Sequence, residues 1–274
     1  EDSRTDQRIR HLMGGFASLG SGSRGNGTLV AIGDAIFLVD CGFNRKQAEQ
    51  RLARLEMSPG DITAILVSHE HSDHIAGVAG LSHRYAIPVY ASHGTLKNSP
   101  QDFQCSAFDG DAPFEVQGVL INPVRVPHDA REPTQFVLSK DATKIGVLSD
   151  LGSVTPHVVK QFEHCTHLLL EANHDRNMLF AGAYPPALKR RVAADHGHLS
   201  NTQARDLLKL LAHKDLHVVI GHVSAQNNAV SLVDEMFAEL QDELASLVVA
   251  TQNEGFDWIG QKPLTRQISF DKVI

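Results

Sequence analysis

The sequence has little cysteine, no long apolar run and no excess of positive charge. Its three cysteines, Cys41, Cys105 and Cys165, are odd in number and lack a C-x-x-C spacing. That argues against a disulfide framework and for a reducing compartment, the cytoplasm by default. No stretch approaches the roughly 18 uninterrupted apolar residues of a membrane span, and the opening EDSRTDQRIRHLM carries no apolar signal core. Lys and Arg number 25 against 32 Asp and Glu, a formal net charge of −7. A broad electropositive surface gripping nucleic acid by charge alone is therefore excluded, and any phosphate binding must be local. With 42% apolar residues over 274 positions, disorder, collagen and a stapled miniprotein are excluded as well. Residues 1–12 precede the first strand-like run and are expected to be a leader outside the fold or a polar extension, leaving 13–274 as one domain.

What is present in excess is histidine: 16 residues, more than the 11 prolines or the three tyrosines. Position decides what that means. FASLG, TLVAIG and AIFLVD alternate with Gly-rich turns and predict a three-strand meander. Asn44 opens a helix in which Ala48, Leu52 and Leu55 share one face. AILVS (64–68) predicts a buried strand, and a helical pattern follows from near Ile75 to Tyr85. The second half repeats the grammar. Strands are expected around 114–127, 134–140, 143–149, 167–173 and 216–222, with helices opened by Thr155-Pro156 and by the Ser200/Gln203 capping box. A long helix over 228–245 and closing strands over 246–251 and 256–270 complete the chain. Two groups of strands, each with its own helices, predict an α/β fold of four layers, two sheets face to face with helices outside. No low-complexity segment or short repeat interrupts it.

Directly after the AILVS strand stands His69-Glu70-His71-Ser72-Asp73-His74, an HxHxDH pattern. Histidines two apart in an extended loop point to the same side and can reach one cation; Asp73 and His74 can serve a second beside it. Three protein ligands per ion leave a position open, as catalysis requires, and two adjacent ions can activate water and clamp the group it attacks. Further ligands must come from later in the chain. His128, Asp150 and His222 each follow a predicted strand, and Asp150, with two oxygens, is the natural bridge. Taken singly, each is equally an end-of-strand polar residue. Imidazole and carboxylate without thiolate accept zinc, manganese or iron, with zinc expected.

HEHSDH, the VDCG before it, His128, SDLG around Asp150 and GH at His222 resemble the metallo-β-lactamase superfamily over residues 14–270. SLGSGSRGNGTLV, LEANHD, YPPALKRRV, DHGHLSN and GHVSAQNN are similar to its YycJ/WalJ branch, bacterial cytoplasmic enzymes regarded as DNA exonucleases. The resemblance implies an αβ/βα metallo-β-lactamase sandwich and a dinuclear metal-dependent phosphodiesterase. By position it assigns His69, His71 and His128 to one metal and Asp73, His74 and His222 to the other, with Asp150 bridging and Asp40 orienting a ligand histidine. Cys41 reads as a buried small residue. Sites that use cysteine on the second metal would need it late in the chain, where Asp150 stands.

The leaving group calls for a proton or a screening cation. His174, His196 and His198 lie near Lys189, Arg190 and Arg191 in sequence. His198, between a helix end and the N-cap Ser200, is the first choice and His174 the second. The Lys189-Arg190-Arg191 run is a candidate substrate contact, or a solvated helix face. Ser23 and Asn26 on the Gly-rich turn carry donors where backbone can approach phosphate, although a plain hairpin also explains the turn. The expected substrate is single-stranded DNA or DNA ends. The alternatives are a small substrate (a cyclic phosphodiester, thioester, lactone or β-lactam) or a scaffold without catalysis. No membrane partner is expected, and a homo-oligomer is open.

Overall fold

The computed structural model describes residues 14–99, 103–110 and 112–263. The expected leader 1–12 and the far part of the last expected strand lie outside the described residues. Among the described residues, fourteen strands form two sheets. The first has the order β14-β1-β2-β3-β4-β5-β6 and the second β13-β12-β11-β10-β9-β8-β7. β1 (Gly14–Gly20), β2 (Gly27–Ile32) and β3 (Ala35–Val39) are an antiparallel meander. β4 (Ala64–Val67), β5 (Val89–Ser92) and β6 (Cys105–Phe108) then continue the sheet in parallel. The second sheet mirrors this. β7 (Phe114–Val116), β8 (Val119–Arg125), β9 (Thr134–Lys140) and β10 (Thr143–Leu148) are antiparallel, while β11 (His167–Glu171), β12 (His217–Gly221) and β13 (Ser246–Val249) run parallel to β10. The short β14 (Ile259–Gly260) pairs with β1.

Three apolar clusters follow from this layering. Phe16, Phe37, Leu66, Phe136, Ile145 and Val219 are buried between the sheets. Leu52, Ile65, Val78 and Leu81 bury the outer face of the first sheet under α1 (Arg45–Arg54) and, after the single turn α2 (Ser72–Ile75), under α3 (Val78–Tyr85). Phe162, Leu168, Leu207, Leu208 and Phe237 do the same for the second sheet under α5 (Pro156–Phe162), α8 (Asn201–Leu211) and α9 (Val230–Phe237). The central parallel strands β4 and β11 are buried along their whole length because both of their faces are covered.

The helices begin where the caps dictate. Asn44 accepts from the Gln47 backbone, whose side chain accepts from Asn44 N, and Ser200 and Gln203 form the same reciprocal box. Three expectations are corrected. The long helix over 228–245 is α9 followed by a 3-10 turn at Ala238–Glu243; the strand over 114–127 is the hairpin β7–β8; and the strand expected from 256 is only β14 within the described residues. The YPPALKRRV stretch, read as a basic run or a solvated helix face, contains α7 (Pro186–Val192), preceded by α6 (Arg176–Ala181), which Asp175 caps; α6, α4 (His93–Asn98), β5 and β6 carried no sequence expectation. No helix among the described residues is long and apolar enough to cross a membrane.

Candidate metal centre

The parallel strands of both sheets end along one edge, and five of them carry a polar residue at or just beyond that end. Asp40 follows β3, Ser68 and His69 follow β4, Asp150 follows β10 by one residue, Glu171 ends β11 and His222 follows β12. Asp40, Asp150 and His222 all take left-handed backbone, with φ of 62°, 52° and 51°. This turns each side chain off the strand direction and inward, at a strain on the order of 1 kcal/mol each. Gly42 lets the chain after β3 lie against the Asp73 backbone, since a Cβ there would collide with the Asp73 carbonyl.

The imidazoles meet in a defined way. His69 Nε2 lies 3.1 Å and His128 Nε2 3.4 Å from His71 Nδ1, so three ring nitrogens converge. His74 Nε2 faces Asp150 Oδ2 at 3.0 Å and Asp73 Oδ2 at 3.5 Å, and His222 Nε2 faces Asp73 Oδ2 at 3.9 Å. The opposite ring nitrogens of His69, His74, His128 and His222 are all engaged. His74 Nδ1 donates to Asp40 Oδ2 at 2.8 Å. Ser68 donates its hydroxyl proton to Asp40 at 2.7 Å, so its oxygen is left to accept from His69 Nδ1 at 2.9 Å. His128 Nδ1 donates to the Gly197 carbonyl at 3.0 Å, and His222 Nδ1 to Glu171 at 2.9 Å. In each of these four rings the acceptor fixes the proton on Nδ1 and leaves the Nε2 lone pair aimed into the cluster, which is how proteins prepare imidazole for a cation.

Charge completes the arrangement. Burial, with neighbouring imidazoles, holds His69 well below its ordinary pKa, and burial lowers His128 too, so both stay neutral. Burial opposes charge on His74 and His222 as well, but the carboxylates of Asp150, Asp73 and Asp40 raise the first, and those of Asp150 and Glu171 the second. Asp150 is held well below the carboxylate range by His222 and His74 despite its burial. Imidazole nitrogens turned toward ionised carboxylates, which draw protons onto His74 and His222 when no other cation is there, are the donor set that a divalent cation satisfies. His69, His71 and His128, and His69, His74 and Asp150, each bring ligand atoms within 4.8 Å of one another.

Glu171 carried no sequence assignment, although it stood inside the LEANHD stretch and ends a buried apolar strand, the same signal that singled out Asp150. It is fully buried and accepts from Asp150 N, Leu199 N, His222 Nδ1 and His198 Nδ1, the last at 3.0 Å. Although burial opposes it, His198 and His222 hold its pKa at about 2. His198 is raised to about 9, again against burial, by Glu171 and Asp150.

A cavity of about 380 Å³ opens over this cluster, bounded by His71, Asp73, Asp150, His198 and His222 on one side. Ser23 and Arg191 also reach it, and Arg191 pairs with Asp129. The remaining candidates do not. Lys189 donates to the Phe180 carbonyl and Arg190 is exposed away from the cavity wall. Asn26 is spent on the Gly-rich turn and on Asp73, accepting from Gly22 N at 2.7 Å and holding the Asp73 carbonyl through its backbone. His174 is 1% exposed, off the cavity wall, and neither ring nitrogen has a partner; burial brings its pKa to about 4.

The model of a family described as the beta-lactamase superfamily domain matches residues 36–222. The chain is 31% identical over 236 residues to the exodeoxyribonuclease YycJ of Bacillus anthracis, covering 83% of this chain and 89% of that relative. It is 33% identical over 226 residues to the exodeoxyribonuclease WalJ of Streptococcus pneumoniae, covering 79% and 84%. Among solved structures, the metallo-β-lactamase fold protein YhfI of Bacillus subtilis superposes with a TM-score of 0.68 at 16% identity, over 91% of this chain and 99% of that one. The short form of human tRNase Z gives 0.62 at 17%, over 92% and 100%. At such identities the likeness is one of fold, the four-layer αβ/βα sandwich.

Proposed function

Since the chain belongs to the metallo-β-lactamase superfamily, in its YycJ/WalJ-like branch, and is a metal-dependent hydrolase, we propose that it is a dinuclear exonuclease acting on single-stranded DNA or DNA ends. One observation carries the metal part of this reading: four imidazoles whose Nδ1 protons are each committed to an acceptor inside the protein, so that four Nε2 lone pairs face one cluster of carboxylates. His69, His71 and His128 would hold one ion and Asp73, His74 and His222 the other, with Asp150 between them. Zinc suits this set, and manganese or iron would be accepted. Divalent cations in that position supply Lewis acidity and a water of lowered pKa at neutral pH.

The chain's own residues do the rest. Asp40 and Glu171 orient the imidazoles. Glu171 also holds His198 through Nδ1, which leaves the His198 Nε2–H for the cavity. Because His198 is raised to about 9, it is cationic at neutral pH and can give that proton to the departing oxygen of a cleaved phosphodiester. Arg191 supplies local positive charge that the net charge of −7 does not. The DNA substrate rests on the relatives' names. We also infer a reducing cytoplasmic setting from the free thiols of Cys41, Cys105 and Cys165. A small-substrate hydrolase is the second reading, because a cavity of about 380 Å³ accepts a small molecule as readily as one nucleotide.

The two readings part on a substrate panel. Protein loaded with zinc or manganese is expected to shorten end-labelled single-stranded DNA progressively. Intact DNA alongside turnover of bis-p-nitrophenyl phosphate or nitrocefin would leave the small-substrate reading standing.

A further inference from the structure

The cavity has two unlike walls. Opposite the histidines and carboxylates stands a wall built by α7 and the residues leading into it: Tyr184, Leu188, Arg191 and Val192. Leu188 and Val192 stand four residues apart on α7, so one side of that helix faces the cavity, and Tyr184, just before the helix, lines it too. All three are only half-buried. None of the three suits a divalent cation as ligand, and none is needed to hold the imidazoles.

This wall is fixed relative to the cluster. The backbone at Gly197 packs so closely on α7 that a Cβ there would collide with the Arg191 and Val192 carbonyls. The next residue, His198, donates its backbone N–H to Val192 O at 2.9 Å. Arg191 is drawn by its ion pair to Asp129, the neighbour of His128. The C-terminal turn of α7 therefore cannot drift away from His198 without breaking these contacts, and Tyr184 leads directly into that helix. A half-exposed aromatic and aliphatic strip held rigidly beside a charged centre is matched by a flat apolar occupant that carries an anionic group on one side.

We propose that Tyr184, backed by Leu188 and Val192, is the stacking platform for the base of the terminal nucleotide, while the phosphate beyond it lies toward Arg191 and the histidine cluster. This rests on the nuclease reading above. Stacking uses the π-face that every base has, so the platform would admit any base and would favour a strand end whose base is unpaired. The cavity, about 380 Å³, has room for one such unit.

The test is a ratio. For metal-loaded wild type, Tyr184→Phe and Tyr184→Ala, kcat/KM is measured on an oligonucleotide with ordinary terminal residues and on the same oligonucleotide with abasic residues at both ends. Metal content is checked by elemental analysis. Wild type should prefer the base-bearing substrate by about 5- to 150-fold, the range for one stacked base, mainly through KM. Tyr184→Phe should keep the preference and Tyr184→Ala should bring the ratio close to one. A purely structural role would slow both substrates equally and leave the ratio unchanged; that result, or a wild type indifferent to the base, overturns the platform. A wild type that cleaves neither oligonucleotide sinks the nuclease reading and the platform with it.

Discussion

In the first half of the chain a single loop of six residues supplies His69, His71, Asp73 and His74, and one carboxylate, Asp40, governs two of those imidazoles, one directly and one through Ser68. In the second half Asp150, His198 and His222 arrive from three separate segments, and again one carboxylate, Glu171, governs two imidazoles. The orienting chemistry is the same, while the route to it differs. A local motif can be read from adjacent letters. A constellation assembled across parallel strands exists only once β10, β11 and β12 lie side by side.

The comparison can be broken hardest at Asp150, a buried carboxylate that both halves use. Asp150 lies within reach of His74 from the first half and of His222 from the second. Asp150→Ala should abolish both metal loading, by elemental analysis, and hydrolysis; normal turnover would remove it from between the ions.

Next come the two governing carboxylates. Asp40→Asn and Glu171→Gln should each cost about 10- to 100-fold in metal affinity or activity, the usual effect of losing a group that orients a ligand. They should differ in one respect, since Glu171 also holds His198. Glu171→Gln should therefore lower kcat even at saturating metal, as should His198→Ala with its metal content intact. A His198→Ala protein that loses metal would move that histidine from proton donor to ligand.

The smallest effect lies at the opposite end of β11, where His167 is buried against Phe16 and His217 with no carboxylate to govern it. Burial, aided by His217, pushes its pKa from 6.5 down to about 4. As pH falls, the unfolded chain takes up this proton first. The fold should thus lose stability between about 6.5 and about 4 and nothing further from this residue below that, at most about 3 kcal/mol. Urea melts across that window should be flatter for His167→Gln; an unchanged slope would mean that other groups set it.

Much of the fold was legible because apolar strands and capped helices announce themselves: AILVS is β4 with one residue beyond it, and Ser200/Gln203 opens α8. HxHxDH and the strand-exit residues His128, Asp150 and His222 were legible for the same reason. Glu171 was not singled out, because its importance lies in four donors brought from three separate segments. Tyr184 stood unremarked in a stretch whose charges drew the eye. Lys189 and Arg190 went the other way: the letters suggest phosphate contact, but the turn of α7 carries them off the cavity wall and leaves Arg191 on it.

The left-handed backbone at Asp40, Asp150 and His222 also bears on how such a protein can be made sturdier. Glycine would relax each of these positions, and screens that reward heat resistance alone should drift toward it. Every such gain would remove a side chain from the centre of the molecule. Durability and turnover therefore pull in opposite directions at the same three residues, and a hardened variant must find its extra stability elsewhere.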